Sequence, residues 1–307
     1  MEERKRVIAL GFFDGVHLGH GELLKRTKER AAEIDAMSSV LSFDVHPDTL
    51  VFGSDVKLIS SATDREEIIR RCYGIDNIVF LHFNRHMMCM PWREFVDNIV
   101  AQLNVTWIVM GHDFSCGYRG EGKAELIRDY CAHLGIGCDI IPPLCMDGRV
   151  ISSTWIRELI SSGDMENAQK LLGHPHTLSD TVHSGYHLGR KLGTPTINMF
   201  FPDGVLIPKF GVYASKAYIN GKSYLAVTNI GIRPTVENNG RVSVESHLLN
   251  YSGNLYGRQA RVEFYKFLRP EAKFENFEKL SEQIRRDSKA AEEYFKAEAR
   301  NTTALLP

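Results

Sequence analysis

The chain has 307 residues, 43% of them apolar and 24% charged, which is enough for about two ordinary domains with real cores and excludes disordered and collagen-like classes. A formal net charge of -1 provides no overall basic field for a nucleic-acid duplex. No apolar run approaches membrane-spanning length, so the expectation is a soluble, cytoplasmic protein that works on small molecules, with no nucleic-acid or membrane partner. Its six cysteines (Cys72, Cys89, Cys116, Cys131, Cys138, Cys145) lack zinc-type spacing and read as free thiols.

In chain order, short apolar runs at 7–10, 39–44, 77–83, 107–111 and 138–142 alternate with helical periods at about 18–33, 64–72, 91–103 and 123–134. A capping box is expected from Thr63 to Glu66, and Pro91 opens its helix. This alternation predicts a doubly wound α/β domain with a parallel sheet. Two short helices follow, each stopped by a glycine, Gly163 and Gly173. From about residue 178 the runs "GVYASKAYI", "SYLAVTNIGI", "VSVESHLLN" and "QARVEFYKFL" predict an antiparallel β-barrel or sandwich. A last amphipathic helix over about 275–298 is expected to pack Phe277, Leu280, Ile284 and Tyr294. The texture changes near 173–178, giving domains 1–175 and 176–307.

"GFFDGVHLGH" (11–20) follows the first strand as a strand-to-helix turn whose backbone amides suit an anion. His17 and His20 then allow three readings: helix caps or core, a zinc site short of further ligands, or donors to the phosphates of a nucleotide. Position favours the third. "ISSTWIR" (151–157) adds Ser153, Thr154 and Arg157 at another helix start, and "GHDFSCGYRGEG" (111–122) leaves the same edge of the sheet. In the second half, Thr196 and Asn198 share one face of an extended segment and could hold Mg²⁺ with ATP phosphates. Glu245 shares a face with His247, while Val242, Val244 and Leu248 take the other. Alone, Glu245 reads as a solvated carboxylate.

Together, "GFFDGVHLGH" and "ISSTWIR" resemble the nucleotidylyltransferase superfamily. "SFDVHP" (42–47), "GHDFSCGYRGEG", "PTIN" (195–198) and "VESHLL" narrow the resemblance to the bacterial bifunctional riboflavin kinase/FAD synthetase (FMN adenylyltransferase) family, over nearly the whole chain. The resemblance implies ATP- and Mg²⁺-dependent phosphorylation of riboflavin to FMN by the second domain and adenylylation of FMN to FAD, with pyrophosphate release, by the first. It implies that His17, His20, Ser153, Thr154 and Arg157 contact ATP phosphates, within a turn that includes Gly11, Phe13, Asp14 and Gly19. Asp113, His46 and Pro47 would lie near the flavin. Thr196 and Asn198 would serve Mg²⁺ and ATP, Gly189 and Arg190 would cover the nucleotide, and Glu245 would be the kinase base. The chain departs from the family pattern at Val45, Cys116, Asp180 and Ile197, and Asp180 is expected to bear on a turn needing positive φ. Competing readings are another nucleotidylyltransferase with an unrelated β domain, an aminoacyl-tRNA ligase, which the missing lysine-bearing loop disfavours, and a flavin-binding regulator without catalysis. The sequence gives no oligomeric state.

Overall fold

"VIAL" becomes the middle of a five-stranded parallel sheet because it is apolar on both sides. A computed structural model describes residues 4–53, 55–183, 196–232 and 241–304, and internal contacts divide the chain into units Met1–Ser153 and Thr154–Pro307. The first unit runs β1 (Arg6–Leu10), α1 (Leu18–Glu33), β2 (Met37–Phe43), α2 (Pro47–Phe52), α3 (Ala62–Tyr73), β3 (Asn77–Leu81), α4 (Arg85–Cys89), α5 (Trp92–Leu103), β4 (Val105–Gly111), β5 (Ser115–Cys116), β6 (Gly122–Lys123), α6 (Ala124–His133), β7 (Gly137–Ile141), β8 (Cys145–Met146) and β9 (Arg149–Val150). The main sheet has the order β3-β2-β1-β4-β7, all parallel. Val7 and Ala9 face a core with Leu24, Ile68 and Ile69, and Ile8 and Leu10 face the opposite core with Phe95, Ile99 and Ile127. Strand order reverses between β1 and β4, which opens a crevice at their C-terminal ends.

One local expectation shifts. The cap of α3 is Ser61, whose Oγ accepts from the Asp64 amide at 3.0 Å, in place of a box from Thr63 to Glu66. Glu66 instead accepts from Arg70 one turn on. The two-residue ladders β5–β6 and β8–β9 are too short to leave a period in the sequence. The six cysteines are free thiols.

The second unit takes in α7 (Ser153–Ser162) from its second residue on, then α8 (Met165–Leu172), and continues through β10 (His176–Thr181), β11 (Thr196–Met199), β12 (Gly211–Ile219), β13 (Lys222–Ile232), β14 (Val242–Leu248), β15 (Gln259–Arg269) and α9 (Phe277–Ala304). The texture of the sequence changes near 173–178, whereas α7 and α8 group with this unit, where Met165 of α8 joins the β core. Six antiparallel strands in the order β10-β15-β12-β13-β14-β11 curl into a half-barrel around Tyr213, Phe264, Val244, Leu248 and Ile230. The two edge strands meet where the His183 amide donates to the Asn198 carbonyl at 2.9 Å. Asp180 ties the same junction, with Oδ2 accepting from the Phe200 amide at 2.9 Å. Asp180 therefore lies inside a strand, paired with Ala260, and not in a positive-φ turn.

The outer face of this sheet carries Val212, Ala214 and Val227, covered by Ala291 and Phe295 of α9. Phe277 is 45% exposed, so the expected apolar side is corrected there, and the buried line runs through Asp287, Ala291 and Phe295. A charged residue fits that line because Arg269 of β15 donates to Asp287 through both Nε and Nη2 at 2.8–3.1 Å, and Gln283 adds a bond of 2.9 Å. Breaking such a pair by removing one partner costs about 3–5 kcal/mol.

His176 is buried against Phe201 and Phe264, and its Nε2 has no hydrogen-bond partner among the described residues. Burial, helped by nearby His174, pushes its pKa down to about 3. The unfolded chain takes up this proton below about pH 6.5 and the folded chain does not, so stability is lost as the pH is lowered, by up to about 1.4 kcal/mol per unit between about 6.5 and 3. Urea midpoints at pH 7 and pH 5 should therefore drop less in His176→Phe than in the parent, and an equal drop would refute the assignment.

Candidate active sites

The turn after β1 enters the crevice with an uncommon backbone. Phe13, Gly15 and Val16 take φ of 58°, 73° and 45°, and a β-branched residue in the left-handed region is strained. Buried partners hold the turn. The Asp14 carboxylate accepts from the Ile59 and Ser60 amides at 2.9 and 3.2 Å, and its carbonyl accepts from Ser153 Oγ at 3.1 Å. Ser60 Oγ accepts from the Gly15 amide at 3.0 Å. Asp14 thus shapes the turn from beneath, and Phe13 is a core residue.

Arg65, fully buried, supplies what the sequence reading missed. Its Nη1 donates to the Phe12 carbonyl at 2.7 Å and to Ser42 Oγ at 3.1 Å, and its Nη2 to the Phe43 carbonyl at 2.9 Å. It joins the turn after β1 to the end of β2. Burial lowers its pKa to about 10, against the attraction of Asp14 and Asp44, so it remains charged at neutral pH. In sequence Arg65 is one more charge in the first turn of a helix.

His17 caps α1, with Nδ1 accepting from the His20 amide at 3.3 Å. Acceptance at Nδ1 puts the neutral ring's proton on Nε2. The two rings stack at 3.7 Å between centroids. A Cβ on Gly19 would lie 3.1 Å from the His17 ring, so any side chain there would push the ring by a few tenths of an ångström. Burial first, then the neighbouring His17 and Arg65, hold the pKa of His20 well below the usual histidine range. Its Nδ1 is buried with no partner among the described residues. A neutral imidazole pair at the end of β1 can offer N–H donors to an anion without adding fixed charge.

Nearby, the Phe12 and His46 rings meet edge to face at 4.5 Å, and Pro47 begins α2. Asp44 binds His82 at 2.7 Å; burial opposes its ionisation, but His82 and the Phe83 and Val45 amides outweigh burial and keep its pKa low. Gly11 ends β1 by donating to the Leu41 carbonyl. Asp113 is exposed just beyond β4. Burial raises the Cys116 thiol to about 12, leaving it a neutral, apolar neighbour of the second core. Thr154 and Arg157 lie in the first turns of α7, Thr154 exposed and Arg157 half-buried. Gly189 and Arg190, with Pro195, lie outside the described residues.

In the second unit Ile197 and Met199 enter the barrel core, so Thr196 and Asn198 share the outer face. Across the β11–β14 pair Thr196 stands opposite His247 and Asn198 opposite Glu245. The next strand places Asn229 opposite Glu245 from the other side. The result is a row Asn198–Glu245–Asn229 on one face, with opposed Cβ atoms about 5 Å apart. Ser243 Oγ adds a bond of 3.4 Å to the Glu245 carboxylate.

A family model described as FAD synthetase matches residues 1–155, and one described as riboflavin kinase matches 172–295. The chain belongs to the bifunctional riboflavin kinase/FMN adenylyltransferase family. A protein of that name from Listeria monocytogenes is 36% identical, over 94% of this chain and 92% of its own. Relatives of the same name from Bacillus subtilis and Escherichia coli K12 are 35% and 34% identical, covering 96% and 94% of this chain and 94% and 92% of theirs. A solved structure described as a macrolide-efflux protein from Streptococcus pneumoniae superposes with a TM-score of 0.83 at 27% identity, over 95% of both chains. Among the described residues no helix is long and apolar enough to cross a membrane. Membership in the kinase/adenylyltransferase family removes the reading of an unrelated β domain.

Arg65→Met removes the side-chain donor to the Phe43 carbonyl of this family member and one of the two donors to the Phe12 carbonyl, which keeps Ser42 Oγ at 2.8 Å. The expected result is a loss of about 2 kcal/mol in the stability of the first unit, the cost of leaving buried acceptors short of a donor. FMN-to-FAD conversion should slow while riboflavin phosphorylation persists. Separate rates for the two steps, with a denaturant melt, check this; an unchanged FAD rate would show that the turn does not need Arg65.

Proposed function

We propose that residues 176–307 phosphorylate riboflavin through Glu245, and that residues 1–175 adenylylate FMN at the His17–His20 turn. The enzyme uses ATP for both steps and yields FMN and then FAD. The observation that carries the reading is the register of β11 against β14, which sets Asn198 beside Glu245 on a face the barrel core leaves outside. In the kinase step the Glu245 carboxylate accepts the proton of the terminal ribityl hydroxyl. That oxygen bonds to the γ-phosphorus of ATP, and the bond to ADP breaks.

Thr196 offers a hydroxyl and Asn198 an amide oxygen from one face, both hard neutral donors, and this set fits Mg²⁺ sharing phosphate oxygens. Bound there, the ion would neutralise charge on the transferring phosphates; Thr196 and Asn198 would hold it. In the adenylyl step an FMN phosphate oxygen bonds to the α-phosphorus of ATP and pyrophosphate leaves. The attacking phosphate is already ionised, so no base is needed, and the His17 and His20 N–H groups stabilise the charge on the phosphates. Ser153, Thr154 and Arg157 contribute further donors, and Asp113, His46 and Pro47 line the flavin side.

The two chemistries separate by substitution. Glu245→Gln should lower the riboflavin kinase kcat by at least about a hundredfold and leave FMN-to-FAD conversion intact. His17→Ala and His20→Ala should slow the adenylyl step and spare the kinase. Chromatographic separation of riboflavin, FMN and FAD after incubation with each variant measures both; equal loss of both steps in either set would defeat the division.

A further inference from the structure

Asn229 stands opposite Glu245 on the outer face, and its Nδ2 donates to Glu271 Oε1 at 3.3 Å. Glu271 follows the end of β15, and its carboxylate lies over Gly231, two residues beyond Asn229 on the same face of β13. Any Cβ at Gly231 would collide with that carboxylate. The missing side chain is therefore what lets Glu271 reach Asn229.

A carboxylate only accepts, so this bond fixes which way the Asn229 amide is turned: Nδ2 toward Glu271, and Oδ1 away from it. The oxygen then serves as an acceptor within the same row as Glu245 and Asn198. A kinase whose acceptor is the end of a polyol brings several hydroxyl donors into this row, and one must reach Glu245 while the others need acceptors of their own.

We propose that Asn229 binds the polyol chain of the flavin substrate, with Glu271 as the positioning residue that fixes its amide. The proposal rests on the reading of Glu245 as the kinase base. It assigns Asn229 to recognition of the chain and not of the flavin ring.

The test uses the full chain, with ATP saturating when flavin is varied and riboflavin saturating when ATP is varied. Four quantities are read: the KM for riboflavin, the KM for ATP, the FMN-to-FAD rate, and the inhibition constant against riboflavin phosphorylation of a flavin carrying a methyl group in place of the polyol. Asn229→Leu should raise the riboflavin KM about tenfold, the loss of one substrate hydrogen bond. The ATP KM, the FMN-to-FAD rate and the inhibition constant of the chainless flavin should stay within about twofold. Glu271→Ala should raise the riboflavin KM by less, because Glu271 is exposed and water can replace it. Glu271→Gln, which keeps an acceptor oxygen, should restore most of the loss. The double variant should match Asn229→Leu, since both act through one amide.

A riboflavin KM unchanged in Asn229→Leu overturns the proposal. So does a parallel rise in the inhibition constant of the chainless flavin, which would mark a structural role, or full additivity in the double variant. Glu245→Gln separates the two readings: it should lower kcat with the riboflavin KM intact. A fully active Glu245→Gln sinks the base assignment, while the Asn229→Leu constants still decide this one.

Discussion

A β-strand shows its side chains to two faces in strict alternation, and what lies on each face decides where chemistry can go. In the first unit both faces of the sheet are core, with Val7 and Ala9 on one side and Ile8 and Leu10 on the other. No functional side chain can stand on such strands, so the candidate groups gather where the strands end, at the reversal between β1 and β4. The second unit buries one face in the barrel and lends part of the other to α9. The remainder of that outer face holds Asn198, Glu245 and Asn229 in one row.

The two sites are held by different means. The turn after β1 is strained at Val16 and sits over buried polar groups, so it depends on Arg65 and Asp14 to pair carbonyls and amides that no strand or helix pairs. A charged guanidinium is costly to bury, and it persists because three acceptors and the attraction of Asp14 and Asp44 offset the desolvation. The kinase row needs no such support. Ladder hydrogen bonds fix its register, and a slip of one residue would turn Glu245 into the core.

Several features were legible because they are local. The β1 run, the start of α1 at Leu18, the glycine stops of α7 and α8, and the opposite faces of Ile197 and Asn198 follow from short-range periodicity. Asp14 was legible as part of the turn, but not as the acceptor of the Ile59 and Ser60 amides, because those partners are distant in sequence. Nothing in the sequence pattern singled out Arg65, and Phe277 read as a packed residue of α9. In both cases the partner that decides burial comes from another element: Phe12 and Phe43 for the first, and the outer sheet face, which Ala291 and Phe295 cover, for the second.

By itself the sequence determined the alternation of strands and helices, the change to antiparallel strands, the motifs that mark a nucleotide turn, and the face on which Glu245 stands, since each is set by spacing within about ten residues. Tertiary structure alone decided that Glu245 has Asn198 on one side and Asn229 on the other, that Asp180 stitches the barrel edge, and that His20 is a half-buried imidazole with its Nδ1 enclosed and its pKa held low. Register between strands and desolvation are properties of what packs against a residue, and a one-dimensional pattern carries neither.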